Sequence, residues 1–257
     1  MSLCIAMELV ILGSGTCAPS VDRGCAGYLV RLMGKNILMD AGPGSYRQLM
    51  KMRVDLAGIE NFLITHFHID HVNDLSAILF TMKNCLPSSG RGGLTIHGPK
   101  GFDEKFSKLK DCFGRWILSE DYEIVSMEHG EDEFVINTVT IRTMPMEHGE
   151  PSVGYRVDDG QGKSIAYSGD TALCDNIIKL ASGCDALLME CTTPDGSRRE
   201  GHASVSQAAE IAKKAGVKTL VLTHISPEND TTDLEQRAEK IFDGTVIAAR
   251  DGMRITI

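Results

Sequence analysis

The segment Phe62-Leu-Ile-Thr-His-Phe-His-Ile-Asp-His71 decides how this chain is read. A short apolar run ends in three imidazoles and one carboxylate packed into positions 66–71. Side chains alternate along an extended backbone, so His66 and His68 point the same way and can share one cation. Asp70 and His71 follow, where the chain is expected to turn into a helix from Asp74, and can face a second cation. Two ions about 3.5–4 Å apart form a clamp for the attacking and leaving oxygens of a hydrolysis. A histidine-rich surface loop or a set of core histidines is the bland alternative, but packing gives no reason for four ligand-type residues at one strand end.

Further ligands are expected at other strand ends. His148 follows an apolar stretch in TMPMEHGE, Asp170 follows Ile165–Tyr167 in AYSGDT, and His224 follows Leu220–Leu222 in VLTHIS. Singly, each reads as a cap or turn residue. Their joint occurrence at strand ends favours ligands.

Composition narrows the classes. With 26 Lys and Arg against 35 Asp and Glu, the 257-residue chain carries a formal net charge of −9, which on average repels a nucleic-acid backbone. Eight cysteines, at 4, 17, 25, 85, 112, 174, 184 and 191, lack C-x-x-C spacing, which argues against a disulfide framework or a thiolate zinc site. Reduced thiols in a cytoplasmic protein are the expectation. The opening MSLCIAMELVILGSG lacks a basic n-region and is too short in its apolar run for a membrane span, so it reads as a strand. The glycine-rich GSGT at 13–16 lacks the lysine and spacing of a nucleotide loop and reads as a tight turn.

Short apolar runs bounded by Gly, Pro or Asp recur at 9–12, 28–32, 37–39, 62–64, 94–96, 124–127, 139–141, 165–167, 186–189, 219–222 and 255–257. Helical periodicity appears at 45–52, 74–84, 100–112, 174–181, 205–215 and 234–242. No linker divides the chain, although residues 90–101 hold a surface turn and a tight strand-to-helix connection. The pattern predicts one α/β domain over 1–257, with two β-sheets packed face to face and helices outside.

The motif His66-Phe67-His68-Ile69-Asp70-His71 resembles the HxHxDH signature of the metallo-β-lactamase fold superfamily. The likeness extends through 12–30, 37–49, 62–79, 96–101, 167–171, 188–192, 200–204 and 220–227, and is nearest to the ribonuclease Z and phosphodiesterase branch. The resemblance implies an αββα sandwich of two mixed sheets with metals at one edge. One ion would be held by His66, His68 and His148, the other by Asp70, His71 and His224, with Asp170 bridging. Imidazole and carboxylate ligands suit zinc, manganese or iron, and the sequence does not select among them. Asp70, Glu190 in LMECT and His202 in EGHAS are the catalytic candidates; in that branch the Glu and His help the leaving oxygen acquire a proton. A helix-capping role is the alternative for His202. Asp40 is expected to orient a ligand histidine, or to serve as a simple turn residue. His97 and His129 match no ligand position and read as structural or surface histidines.

One departure matters. Ribonuclease Z proteins insert a protruding arm that grips transfer RNA between the residues corresponding to His148 and Asp170, whereas here Asp170 follows His148 by 22 positions, room for two strands and a turn. The segment after His224, Ile225 to Asp230, is acidic as well. Large RNA is therefore disfavoured, and a small or cyclic phosphodiester is the expected substrate. A hydroxide held between the ions would attack phosphorus, with His202 protonating the leaving alkoxide. The alternatives are a transfer-RNA 3′-processing endonuclease, a lactonase or glyoxalase-II-like thioesterase of the same superfamily, and a non-catalytic or redox member. Many relatives look dimeric through the helix at 74–84; its Ile78, Leu79, Phe80 and Met82 suit either an interface or the core.

Overall fold

The computed structural model describes residues 7–18, 20–86, 93–149, 151–231 and 233–257. The reading of residues 1–6, Cys4 among them, and of the turn at 90–92 lies outside the described residues. Fourteen strands are formed among the described residues: β1 (Glu8–Gly13), β2 (Gly27–Leu32), β3 (Lys35–Ala41), β4 (Ile59–Leu63), β5 (Leu94–Pro99), β6 (Ile124–His129), β7 (Asp132–Ile136), β8 (Val139–Pro145), β9 (Val153–Asp158), β10 (Ser164–Tyr167), β11 (Ala186–Glu190), β12 (Thr219–Thr223), β13 (Thr245–Ala248) and β14 (Arg254–Thr256). The helices are α1 (Ser45–Lys51), α2 (Ile69–Asn84), α3 (Phe102–Phe113), α4 (Asp175–Leu180), α5 (Val205–Ala215) and α6 (Leu234–Glu239). None is long and apolar enough to cross a membrane.

The strands build two seven-stranded sheets, in the orders β14-β1-β2-β3-β4-β5-β6 and β13-β12-β11-β10-β9-β8-β7. Each is mixed: antiparallel neighbours from β1 to β3 and from β7 to β10, parallel ones from β3 to β6 and from β10 to β13. The parallel connections carry the helices, which cover the outer faces.

Three apolar cores follow from this layering. Leu9 and Ile11 of β1 meet Val139, Tyr155, Ile165 and Leu188 between the sheets, while Val10 and Leu12 turn outward onto the layer of Leu75, Ile78 and Phe106. Likewise Leu188 points inward, and Leu187 and Met189 outward onto Ala208 and Ile211 of α5. Strands buried on both faces need continuous apolar runs rather than alternation, and that is why LVIL, ALLM and LVL stand out in the sequence.

Three strands went unpredicted. β7 (DEFVI) is a charged, largely exposed edge, β9 (VGYRVD) is interrupted by Gly154 and Arg156, and β13 is four residues long. Helix α2 also starts earlier than expected, at Ile69 rather than Asp74. His68 occupies its N-cap without a side-chain cap bond, so the usual Ser, Thr, Asp or Asn signal is missing. In α2, Ile78, Leu79 and Met82 are buried in the core and Phe80 alone of the four faces solvent, so packing within the chain accounts for the other three.

Candidate metal centre

Four of the seven candidate ligands, and Glu190 beside them, come from the carboxyl ends of strands. His66 follows β4, His148 follows β8, Asp170 follows β10, His224 follows β12, and Glu190 ends β11. His68, Asp70 and His71 sit at the N-cap and in the first turn of α2, not in the loop before it. There the helix dipole favours the Asp70 carboxylate. Asp40, near the end of β3, and His224 both adopt left-handed backbone, with φ of 53° and 51°, a conformation that costs energy in a residue with a Cβ and is typically retained where a side chain must be aimed.

The side chains converge into two groups sharing one carboxylate. His66, His68, His148 and Asp170 form the first, and Asp70, His71 and His224 the second. Asp170 Oδ2 lies 3.7 Å from His66 Nε2 and 3.9 Å from His148 Nε2, while its Oδ1 lies 3.3 Å from His71 Nε2 and 3.4 Å from His224 Nδ1. It thus reaches both groups. A further grouping of Asp170, His202 and His224 brings His202 alongside.

The hydrogen bonds behind the ligands set their tautomers. Thr65 Oγ1 donates to Asp40 Oδ2 at 2.8 Å and therefore accepts from His66 Nδ1 at 3.0 Å. His71 Nδ1 donates to Asp40 Oδ2 at 2.8 Å, and His148 Nδ1 to the Gly201 carbonyl at 3.0 Å. Thr192 Oγ1 donates to the His224 carbonyl at 3.0 Å and so accepts from His224 Nδ1 at 2.7 Å. In all four the Nε2 lone pair is left facing inward. His71 Nε2 is 3.3 Å from His224 Nε2, and His148 Nε2 is 3.2 Å from His68 Nδ1. Such contacts need a proton or a cation between them.

Two further observations make the residues fit divalent cations. Among buried polar atoms, His66 Nε2 and Asp170 Oδ1 have no hydrogen-bond partner. The electrostatics also demand positive charge. Burial would push the Asp170 carboxyl up, but His224, His71 and His66 outweigh it and hold it well below the usual carboxylate range. Burial opposes a proton on His71 too, yet Asp170 and Asp40 raise its pKa well above the ordinary histidine value. An imidazole and carboxylate set of this kind suits zinc, manganese or iron.

Beside the cluster, His202 Nδ1 donates to Glu190 Oε1 at 2.9 Å. Glu190 is fully buried and is fixed in turn by the backbone N–H groups of Thr171 (2.9 Å) and Thr192 (3.1 Å). Burial works against the His202 proton, but the Glu190 hydrogen bond and charge prevail and raise its pKa. Together with His148 it lines a cavity of about 770 Å³ that opens to solvent.

Asp40 is hydrogen-bonded to a candidate ligand histidine, His71, rather than serving as a simple turn residue. Its buried carboxylate accepts from Thr65 N, Thr65 Oγ1, His71 Nδ1 and Tyr167 Oη at 2.7–2.8 Å. His97 and His129 lie elsewhere, buried and hydrogen-bonded to each other at 3.0 Å, with Phe134 stacked on both. The GSGT turn is close to the site, since Ser14 O accepts from Ile225 N next to His224. Thr65, Thr192 and Gly201, which hold candidate ligands, and Tyr167, which holds Asp40, were missed by sequence reasoning. Only the adjacency of Thr65 to His66, and of Thr192 to Glu190 in LMECT, hinted at them.

The Beta-lactamase superfamily domain family matches residues 35–225. A ribonuclease Z of Mycobacterium bovis is 30% identical over 276 aligned positions, covering 98% of each chain. Because that span exceeds the 257 residues here, the relative carries residues this chain lacks. The crystal structure of the metallo-β-lactamase fold protein YhfI from Bacillus subtilis superposes with a TM-score of 0.84 at 23% identity, covering 98% of this chain and 99% of that one. The short form of human tRNase Z gives a TM-score of 0.78 at 26% identity with the same coverage. Seven buried or half-buried ligand-type residues on two face-to-face mixed sheets, a matching family over most of the length and a full-length ribonuclease Z relative agree, and the chain belongs to the metallo-β-lactamase superfamily, in its ribonuclease Z-like branch.

Proposed function

We propose that this protein is a binuclear metal-dependent phosphodiesterase acting on a small or cyclic phosphodiester. The observation that carries the reading is the His202–Glu190 pair, 2.9 Å apart beside the ligand cluster. A phosphodiester that expels an alkoxide needs a proton donor, whereas a thioester expels a stable thiolate and needs none. Divalent cations held by His66, His68 and His148 and by Asp70, His71 and His224, with Asp170 between, would polarise the phosphoryl oxygen and acidify the attacking water. Glu190 keeps the His202 ring turned and its proton in place. His202 passes a proton from its other nitrogen to the leaving oxygen.

We read residues 1–257 as one domain, and the seven free cysteines among those described as suited to a reducing cytoplasm. The short stretch from β8 to β10, two strands and a turn between His148 and Asp170, leaves no room for an RNA-gripping arm. This supports a small substrate over transfer RNA.

A panel of bis(p-nitrophenyl) phosphate, the p-nitrophenyl ester of thymidine monophosphate, a lactone and S-lactoylglutathione separates the readings. Phosphodiesters should be turned over best; preferential lactone or thioester hydrolysis would remove the proposal. His202→Ala should keep its metals and lose about 10²–10⁴-fold on an alkoxide leaving group, but little on p-nitrophenolate. Equal losses on both would exclude the proton-donor role.

A further inference from the structure

The cavity beside His148 and His202 is rimmed on the His202 side by the exposed segment that ends in Arg198, Arg199 and Glu200. The backbone ties this segment to the proton donor, His202 N donating to Arg199 O at 3.2 Å. Several arginines of the chain are committed: Arg23 to Asp230, Arg237 to Asp195, and Arg142 and Arg156 to Asp158. Arg198 and Arg199 make no ion pair or side-chain hydrogen bond with any described residue. Two guanidinium groups without such a partner thus stand side by side at the mouth of the cavity that His202 lines, on a chain of net charge −9. Glu147, next to His148, and Glu200 also reach the rim, so the cavity is not uniformly basic and favours an anion only where it meets the arginine pair.

If His202 protonates the leaving oxygen, the leaving alcohol occupies the His202 side of the cavity. We propose that Arg198 and Arg199 form a subsite for a second, non-reacting phosphate carried on that alcohol. The preferred substrate is then a phosphodiester bearing an additional phosphomonoester. The planar guanidinium fork matches a phosphate with paired, charge-assisted hydrogen bonds, which a lone hydroxyl cannot offer. This inference rests on the phosphodiesterase reading above.

The matched probes are adenosine 2′,3′-cyclic phosphate with and without a 5′-phosphate, and the corresponding products, adenosine 3′-monophosphate and adenosine 3′,5′-bisphosphate. The 5′-phosphate should raise kcat/KM about tenfold or more, and calorimetry should show the bisphosphate binding tighter by a similar factor. In the R198A/R199A double variant both ratios should fall toward one, and in R198K/R199K they should fall only in part. Equal binding of the two products, or a preference that survives in the double variant, would overturn the subsite. If neither cyclic phosphate is hydrolysed but the bisphosphate still binds tenfold tighter through the arginines, the subsite stands and the phosphodiesterase reading falls. Hydrolysis of both at equal efficiency with equal product binding has the opposite meaning.

Discussion

Replacing Asp40 by Asn keeps the volume of the side chain and changes one thing, the chemistry of Oδ2. In the wild type that oxygen accepts from His71 Nδ1 at 2.8 Å, Thr65 Oγ1 at 2.8 Å and Tyr167 Oη at 2.7 Å, with no exposure to water. Oδ1 accepts from Thr65 N at 2.8 Å and survives as the amide oxygen. The new NH₂ group then confronts three donors. The two hydroxyls can rotate to accept, but His71 can be relieved only by moving its proton to Nε2, the atom that faces Asp170 and His224. A histidine protonated there offers no lone pair to a cation. Hydrogen bonds to a charged group contribute roughly 1.5–3 kcal/mol each, so with partial rescue by the hydroxyls the metal-free variant should lose about 3 kcal/mol of stability. It should still fold. Metal affinity should drop about 10–100-fold, confined to the site that uses His71. Chelator competition followed by elemental analysis should show one ion lost well before the other. Two ions held as tightly as in the wild type would refute the argument that Asp40 sets the His71 tautomer.

Asp170→Ala should deplete metal more than His68→Ala, because the carboxylate lies within 3.9 Å of ligand nitrogens in both groups whereas His68 belongs to one; equal metal content in the two variants would exclude a bridging role. Gly201 has φ of 74°, and a Cβ there would fall 2.7 Å from His148 Nδ1, so Gly201→Ala should displace His148 and lower metal occupancy with little change in far-ultraviolet circular dichroism. Burial, with His129 beside it, pushes His97 down to about 4. An unfolded histidine titrates near 6.5, so the unfolded chain binds more protons between these values, and stability is full above about pH 6.5 and falls on acidification toward 4. At pH 5 this amounts to about 2 kcal/mol, and denaturant unfolding at pH 8 and pH 5 should show the loss shrinking by that much in His97→Gln. An unchanged pH dependence would refute it.

The class of fold and the heart of the candidate site were legible because both rest on short-range rules. Strands buried on two faces must be continuously apolar, so LVIL, ALLM and LVL announced themselves, and a ligand cluster within six residues needs no tertiary contact to be seen. His148, Asp170 and His224 were visible only as residues at strand ends, since a lone histidine carries no mark of its partners. The start of α2 was misplaced because His68 caps it without a capping side chain, and β7, β9 and β13 were missed because edge position, Gly154 with Arg156, and brevity erase the hydrophobic pattern.

Tertiary structure alone decided the rest. Which nitrogen of each histidine faces inward depends on Thr192, Asp40 and the Gly201 carbonyl, which approach from other strands and loops, and on Thr65, the neighbour of His66, itself fixed by Asp40. The pairing of Glu190 with His202 joins the end of β11 to the segment before α5, and the place of Arg198 and Arg199 on the cavity that His202 lines is set by the same packing. Local sequence specifies what a residue can do through its own chemistry and the periodicity of its neighbours. Orientation, protonation and partnership are properties of distances between residues far apart in the chain, and these exist only when the two sheets have packed.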